Sequence, residues 1–413
     1  MTASPPAPVY LDYNATAPLL PAARERMLAA LEALPGNPSS PHRYGQAARD
    51  ALETARAQLA ALVGAGRREV VFTSGGTEGN NALLRWVAEC PRPVHVIASP
   101  IEHPSVLRCL DWLAERGVAV DWLPVNGDGV AQVDAVEGLL RPETVLVTLM
   151  AANNETGVVQ PVAELARRVR AAQTARQAQR DDGAPAVLVH SDAVQAFGRI
   201  PIHAHEWGVD ALTLAAHKLG GPQGVGAVIL REGVALPPLL LGGRQERDRR
   251  AGTESVALVE GFLGAAQWVA AERDMLAARL GALRDRLERR LAGTPGFFVN
   301  GAAAPRVPNT ANLGFEGVSA QSLLVALDLQ GVAVSTGSAC SSGAIEPSHV
   351  LRAMGVPPAR LESSLRISLG WASTEADVER CADVLLAEVR RLRGAADAGR
   401  AEGRAAPDRR AVS

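Results

Sequence analysis

Short runs of β-branched residues alternate with long Ala/Leu/Arg stretches over roughly the first 250 positions, and that alternation leaves few folds open. Candidate strands are Glu69–Thr73, Val94–Ser99, Val118–Leu123, Val145–Met150, Ala186–His190, Ala211–Leu214 and Gly226–Leu230. Candidate helices between and around them include Gln46–Val63, Gly79–Glu89, Pro104–Arg116 and Val162–Gln179. Strands joined by crossover helices make a largely parallel α/β sheet, here of seven strands. Such a sheet takes its ligands at the carboxyl ends of its strands.

The texture then changes. A long amphipathic helix is expected over Ser255–Leu291, followed by strands near Thr310–Phe315, Val332–Ser335 and Leu365–Leu369 and helices near Ser319–Leu329 and Glu375–Leu392. This predicts a large α/β domain over residues 9–254 and a smaller α+β domain over 255–392, with the N-terminal few residues folding back onto the second. Residues 393–413, rich in Ala, Arg and Gly, read as a disordered tail.

Composition removes several functions. The 413 residues carry 42 basic and 44 acidic side chains, a net charge of −2, so no global field favours nucleic acid or an anionic membrane. With 6 Trp, 3 Tyr and 6 Phe there is little material for base-stacking platforms. Four scattered cysteines, Cys90, Cys109, Cys340 and Cys381, form no CxxC pair, which argues against a disulfide scaffold and a zinc ribbon. The opening MTASPPAPVY lacks a basic segment followed by an apolar one, and no uninterrupted apolar run reaches membrane-spanning length. A reducing cytoplasm is the expected compartment.

The chemistry gathers just past the predicted strands. In VVFTSGGTEGNNALLRW a strand meets Ser74, Gly75, Gly76 and Thr77 and then a helix from about Glu78. Two glycines admit close backbone approach, and free N–H groups of a helix's first turn suit a phosphate. Taken alone, such a turn is punctuation more often than a site. Asp192 follows the next strand end, with Gln195 three residues on. It suits a cationic partner such as a protonated pyridine nitrogen, and equally a helix N-cap. His217 and Lys218 follow another strand before a Gly/Pro-rich loop. A lone lysine snorkels by default, but a desolvated one becomes an imine-forming nucleophile. A phosphate cradle, a carboxylate and a lysine on neighbouring strand ends are what an aldehyde cofactor with phosphate and pyridine groups requires.

On these residues the chain resembles the pyridoxal-phosphate-dependent cysteine desulfurases (NifS/IscS-like), in the class V aminotransferase group of fold-type I enzymes. The matching stretches run in family order from about Val9 to Val389: YLDYNATAP, GNPSSPHRYG, FTSGGTEGNN, EHPSV, NNETGVVQP, HSDAVQAFG, AHKLGGPQGVG, RAGTESV, STGSACSSG and SSLRISLG. The resemblance implies that Lys218 holds pyridoxal 5'-phosphate covalently and that His103 stacks on its ring and moves protons. It implies Asp192 at the ring nitrogen, Gln195 at the ring hydroxyl, and Gly76, Thr77 and His217 at the phosphate. Thr253 joins them from the other subunit of a homodimer. Asn154, also implied to contact the cofactor, and Arg366, with Asn14 nearby, are implied to orient the substrate carboxylate. No metal is expected.

Cys340 sits in STGSACSSGAIEP, among small residues rather than the apolar neighbours of a structural thiol. The resemblance makes it the persulfide carrier, on the longer, mobile loop of the first of two desulfurase groups. It implies L-cysteine as substrate, L-alanine as product and a sulfur-acceptor protein such as an iron–sulfur scaffold. Selenocysteine lysis, sulfur donation to tRNA and a non-catalytic scaffold of the same fold are the alternatives. Cys90, Cys109 and Cys381 read as packing or surface residues. Three positions depart from the family pattern: Ala215 and Gly79 stand where Ser is common, and Arg244 where a third Gly is usual.

Overall fold

The computed structural model describes residues 7–179, 186–238, 240–337 and 347–405. The elements up to the centre of the large sheet are β1 (Val9–Tyr10), α1 (Pro21–Ala33), α2 (Arg43–Leu62), β2 (Val70–Thr73), α3 (Gly76–Val87), β3 (His95–Ala98), α4 (Pro104–Ala114), β4 (Ala119–Trp122), α5 (Val136–Leu139) and β5 (Thr144–Thr148). Then come α6 (Val162–Gln179), β6 (Leu188–Asp192), α7 (Ala204–Trp207), β7 (Ala211–Ala215), β8 (Gly226–Leu230) and the single turn α8 (Gln245–Asp248). The remainder is α9 (Val256–Leu291), β9 (Phe297–Val299), β10 (Thr310–Phe315), α10 (Ala320–Leu329), β11 (Val332–Ala333), α11 (His349–Ala353), α12 (Pro358–Leu361), β12 (Ser364–Ser368) and α13 (Glu375–Ala405).

The large sheet has seven strands in the order β2-β8-β7-β6-β5-β3-β4. Only β8 runs against the rest, pairing antiparallel with both β2 and β7. The carboxyl ends of β2, β3, β5, β6 and β7 therefore share one edge, and the functional side chains gather there. The strands are apolar along their length because helices cover both faces. On one face Leu52, Leu59, Leu165 and Phe262 pack against Ile97, Val147 and Leu212. On the other, Leu110 and Leu113 of α4 meet Val96 and Leu146.

A three-stranded antiparallel sheet, β12-β10-β9, anchors a second core with α10 and α13. The long helix α9 serves both cores: Val259, Phe262 and Val269 face the first, and Leu280, Leu287 and Leu291 the second. The N-terminal segment does fold back: β1 pairs in parallel with β11, Val9 opposite Val332. α13 continues past Leu392, where the apolar period stops, to Ala405. The tail expected to be disordered from residue 393 is thus helical as far as Ala405; its alanines and arginines favour helix, while Gly394, Gly399 and Gly403 do not. No helix of the described residues is long and apolar enough to cross a membrane.

Candidate active site

A cavity of about 1020 Å³ opens at the shared strand edge, walled by both sheets. It is lined by Gly76, Thr77, His103, Asp192, Gln195, His217 and Lys218 from the large-sheet side, with Asn14, Asn154 and Arg366. Residues that the sequence places at separate strand ends thus line one cavity. Each arrives for a local reason. After β2 the chain turns through Gly75 at φ 154° and ψ −177°, a backbone state that a side chain would strain. α3 begins immediately, at Gly76 rather than Glu78, with no side-chain cap on its first turn. Its open N–H groups and positive dipole end face the cavity.

Gly79, one of the departures, has a packing cause. A Cβ there would lie 2.7 Å from Val228 Cγ2 and 2.9 Å from Thr213 Cγ2. The methyl groups of β7 and β8 occupy the space a serine needs. Ala215 lines the cavity, and Arg244 is exposed away from it.

Lys218 Nζ donates to the carbonyls of Asn14 (2.9 Å) and Ala15 (2.6 Å). Burial, reinforced by the cations Arg366 and Arg199, brings its amine down to about 8. His217 is held neutral: burial and the neighbouring Lys218 take it down to about 4. Asp192, only 5% exposed, accepts from Val194 N–H (2.9 Å) and from Asn80 Nδ2 (2.7 Å). Both donors are neutral, so the carboxylate's charge is free to meet a cation in the cavity. Gln195 Nε2 donates to the Asn14 carbonyl at 3.0 Å.

Arg366 donates from one amino group to the Asn154 carbonyl (3.1 Å) and from the other to Asp12 Oδ1 (2.7 Å). Part of its fork is thus committed inside the protein. The Asn14 side chain is also committed, to the Asn154 carbonyl, Thr310 Oγ1 and Asn309 Nδ2. Asn14 serves the site through its backbone carbonyl, which seats Lys218 and Gln195.

Several site residues escaped the sequence reading. Arg199 donates to the Gln195 carbonyl (2.6 Å) and the Lys218 carbonyl (3.3 Å) from behind the site. Glu155 accepts from Ser348 Oγ at 2.5 Å, and Glu102 lies fully buried just before His103. Asp12 and Asn80 sat inside the quoted motifs without a role. Their signal is the polar residue inside an otherwise apolar stretch, but their partners are distant in sequence.

Cys340 lies outside the described residues, whose nearest members, Gly337 and Pro347, both line the cavity. Thr253 is exposed and does not line the cavity of its own chain. Burial pushes the other three thiols up, Cys381 to about 12, which keeps them protonated.

The family Aminotransferase class-V matches residues 9–381. The chain belongs to that family. It is 43% identical to a cysteine desulfurase of Trichormus azollae over 387 residues, 93% of this chain and 94% of the relative. It is 40% identical to the cysteine desulfurase IscS of Dictyoglomus turgidum over 391 residues, 93% and 95% of the two chains. A solved NifS-like protein superposes with a TM-score of 0.85 at 34% identity, covering 93% of this chain and all of that one.

Class-V aminotransferases are dependent on pyridoxal phosphate, and the cavity fits that group. Arg366 Nε and Asn154 Oδ1 are buried without a partner among the described residues, so the site holds polar capacity that the chain itself does not use. The uncapped α3 N-terminus matches a phosphate, Asp192 matches a protonated ring nitrogen, and the Lys218 amine matches an aldehyde. Among the described residues no cluster of side chains could hold a metal ion.

Proposed function

We propose that this class-V aminotransferase is a cytoplasmic cysteine desulfurase. It converts L-cysteine to L-alanine, keeps the sulfur as a persulfide on Cys340 and passes it to an acceptor protein, first of all an iron–sulfur scaffold. The observation that carries the reading is the Lys218 amine, seated on two carbonyls at the cavity and lowered to about 8. Relatives named cysteine desulfurase at 40–43% identity supply the substrate.

Pyridoxal phosphate, when bound, supplies an aldehyde for amines and a ring that accepts the electron pair of a broken Cα–H bond. Lys218 would hold it through its amine and would move the proton at the substrate Cα. A lysine at about 8 has far more free amine at neutral pH than an ordinary one. Asp192 holds the ring nitrogen protonated and Gln195 meets the ring hydroxyl. Gly76, Thr77 and His217 hold the phosphate, with Thr253 reaching in from the second subunit of a homodimer. Arg366 and Asn154, held in place by Asn14, orient the substrate carboxylate. His103 would stand against the ring and take part in proton transfers at the substrate.

In the sulfur step the Cys340 thiolate attacks the substrate sulfur. A new S–S bond forms as the Cβ–S bond breaks, and the pair from that bond stays with Cβ, which takes a proton to become the alanine methyl. The substrate is reduced at carbon, and the transferred sulfur is oxidised to the persulfide level. No outside oxidant is needed.

The test is incubation of purified protein with L-cysteine, measuring alanine and mapping persulfide by mass spectrometry. Cys340→Ala should keep the yellow cofactor absorbance and lose the persulfide. Full sulfide release by that variant would remove Cys340 from the reaction. Selenide from selenocysteine with no alanine from cysteine would favour a selenocysteine lyase instead.

A further inference from the structure

His103 occupies the N-cap of α4, and two donors converge on its Nδ1. One is the backbone N–H of Ser105 at 3.1 Å, which cannot rotate away. The other is the Ser105 hydroxyl at 2.8 Å. Asn80 Nδ2 donates one hydrogen to Ser105 Oγ (2.9 Å) and the other to Asp192 Oδ2 (2.7 Å). Because the Ser105 backbone N–H already makes Nδ1 an acceptor, the hydroxyl facing that nitrogen donates its one hydrogen there and accepts from Asn80.

The orientation of Asn80 is not free either. Turning its amide over would set Oδ1 against the Asp192 carboxylate. The residue is 1% exposed, and its Oδ1 is buried with no partner among the described residues. A buried amide with a stranded oxygen is retained for what its two hydrogens do, since stranding that oxygen is itself unfavourable.

We propose that Asn80 and Ser105 are positioning residues for His103, joining Asp192 to Nδ1 in one hydrogen-bonded line and leaving Nε2–H as the edge presented to the cavity. This rests on the reading that His103 moves protons at the substrate. With Nδ1 occupied by two donors, the neutral imidazole carries its hydrogen on Nε2. Protonation to imidazolium would place a third hydrogen where two already point. The surroundings act in the same direction on balance. Burial disfavours the charged ring, as do Lys218 after β7, His349 on α11 and Arg366 on β12, while Asp192 at the end of β6 opposes them. The line also makes the ring sense Asp192 through a polarised amide and hydroxyl, without touching it.

The experiment is nitrogen NMR of histidine-labelled, pyridoxal-phosphate-loaded protein, with His103 assigned by the signal lost in His103→Gln. The expected result is the Nε2–H tautomer. Ser105→Ala, a benign change inside a helix, should raise the imidazole midpoint by about one pH unit, roughly tenfold in proton affinity. Ser105→Thr restores the hydroxyl and should restore the midpoint. The limb of the kcat/KM profile for cysteine that reports His103 should move up with the midpoint in Ser105→Ala and return in Ser105→Thr. An Nδ1–H tautomer in the parent protein, or an unmoved midpoint in Ser105→Ala, overturns the proposal whatever the activity. Failure to turn over cysteine with the stated tautomer and shift intact would instead sink the desulfurase reading and leave the line standing.

Discussion

Glu102 is a carboxyl whose ionisation strongly opposes its surroundings. It is fully buried, Oε1 accepts from the Met150 N–H at 2.7 Å, and Oε2 has no partner among the described residues. Burial, with the nearby Asp192, raises its carboxyl to about 8. Unfolding exposes it to water, where it ionises near its ordinary value. Between that value and about 8 the folded chain therefore binds more protons than the unfolded one, and stability falls as pH rises. Glu102→Gln removes this dependence. Thermal melts from pH 5 to 8 should show the variant gaining on the parent as pH rises, and a constant difference would show that Glu102 is already ionised. At this scale the sequence revealed the groups that stand at strand ends, because a polar residue closing an apolar run is visible locally. It hid Glu102, Asn80, Arg199 and Asp12, whose roles depend on partners brought close only by the fold. Asn80 meets Asp192 across 112 positions, and Asp12 meets Arg366 across 354.

The turn α8 shows how one element can be held in an unfavourable backbone state. Glu246, Arg247 and Asp248 have φ of 49°, 59° and 63°, left-handed positions that favour glycine. A buried ion pair holds them there. Arg56 of α2 donates to Glu246 at 2.6 and 2.8 Å, and Glu246 also accepts from the Phe72 N–H at 3.1 Å. Two residues further on, Arg250 donates to Glu78 at 2.9 Å and ties the segment to the first turn of α3. Glu246→Ala leaves a buried guanidinium unpaired, and the expected loss is about 3–5 kcal/mol in urea unfolding. A double-mutant cycle with Arg56→Ala should show strong coupling, and additive losses would refute the role of the pair. No local pattern in LGGRQERDRRAGT announces this turn, whereas the long periodic elements were plain. The strand Gly226–Leu230 matches the sequence reading to the residue, and α9, expected over Ser255–Leu291, runs over Val256–Leu291. α1 went unread because its apolar residues show no one-sided stripe and only Ala23 and Ala30 are buried.

Across the whole molecule, one extended N-terminal segment connects both cores to the lysine. Val9 and Leu11 are buried in the second core, and Val9 N–H and Leu11 N–H donate to the carbonyls of Gly331 and Ala333. Asp12 then pairs with Arg366, Asn14 and Ala15 seat Lys218, and Ala17 N–H donates to the His217 carbonyl at 2.9 Å. Leu20 completes the crossing in the first core. Anchoring of this segment in the second core therefore sets where the amine of the first stands. Leu11→Ala tests that link. Leu11 is fully buried, so the truncation should cost about 2–5 kcal/mol. Leu291→Ala, at the far end of α9 and equally buried in the same core, should cost a similar amount. Absorbance titration with pyridoxal phosphate then separates the two variants. Leu11→Ala should bind the cofactor several-fold more weakly because its carbonyl seats have loosened, while Leu291→Ala should bind as the parent does. Equal affinity in both variants would reduce the segment to packing alone, and Lys218 would then owe its position to β7 and the loop that follows it.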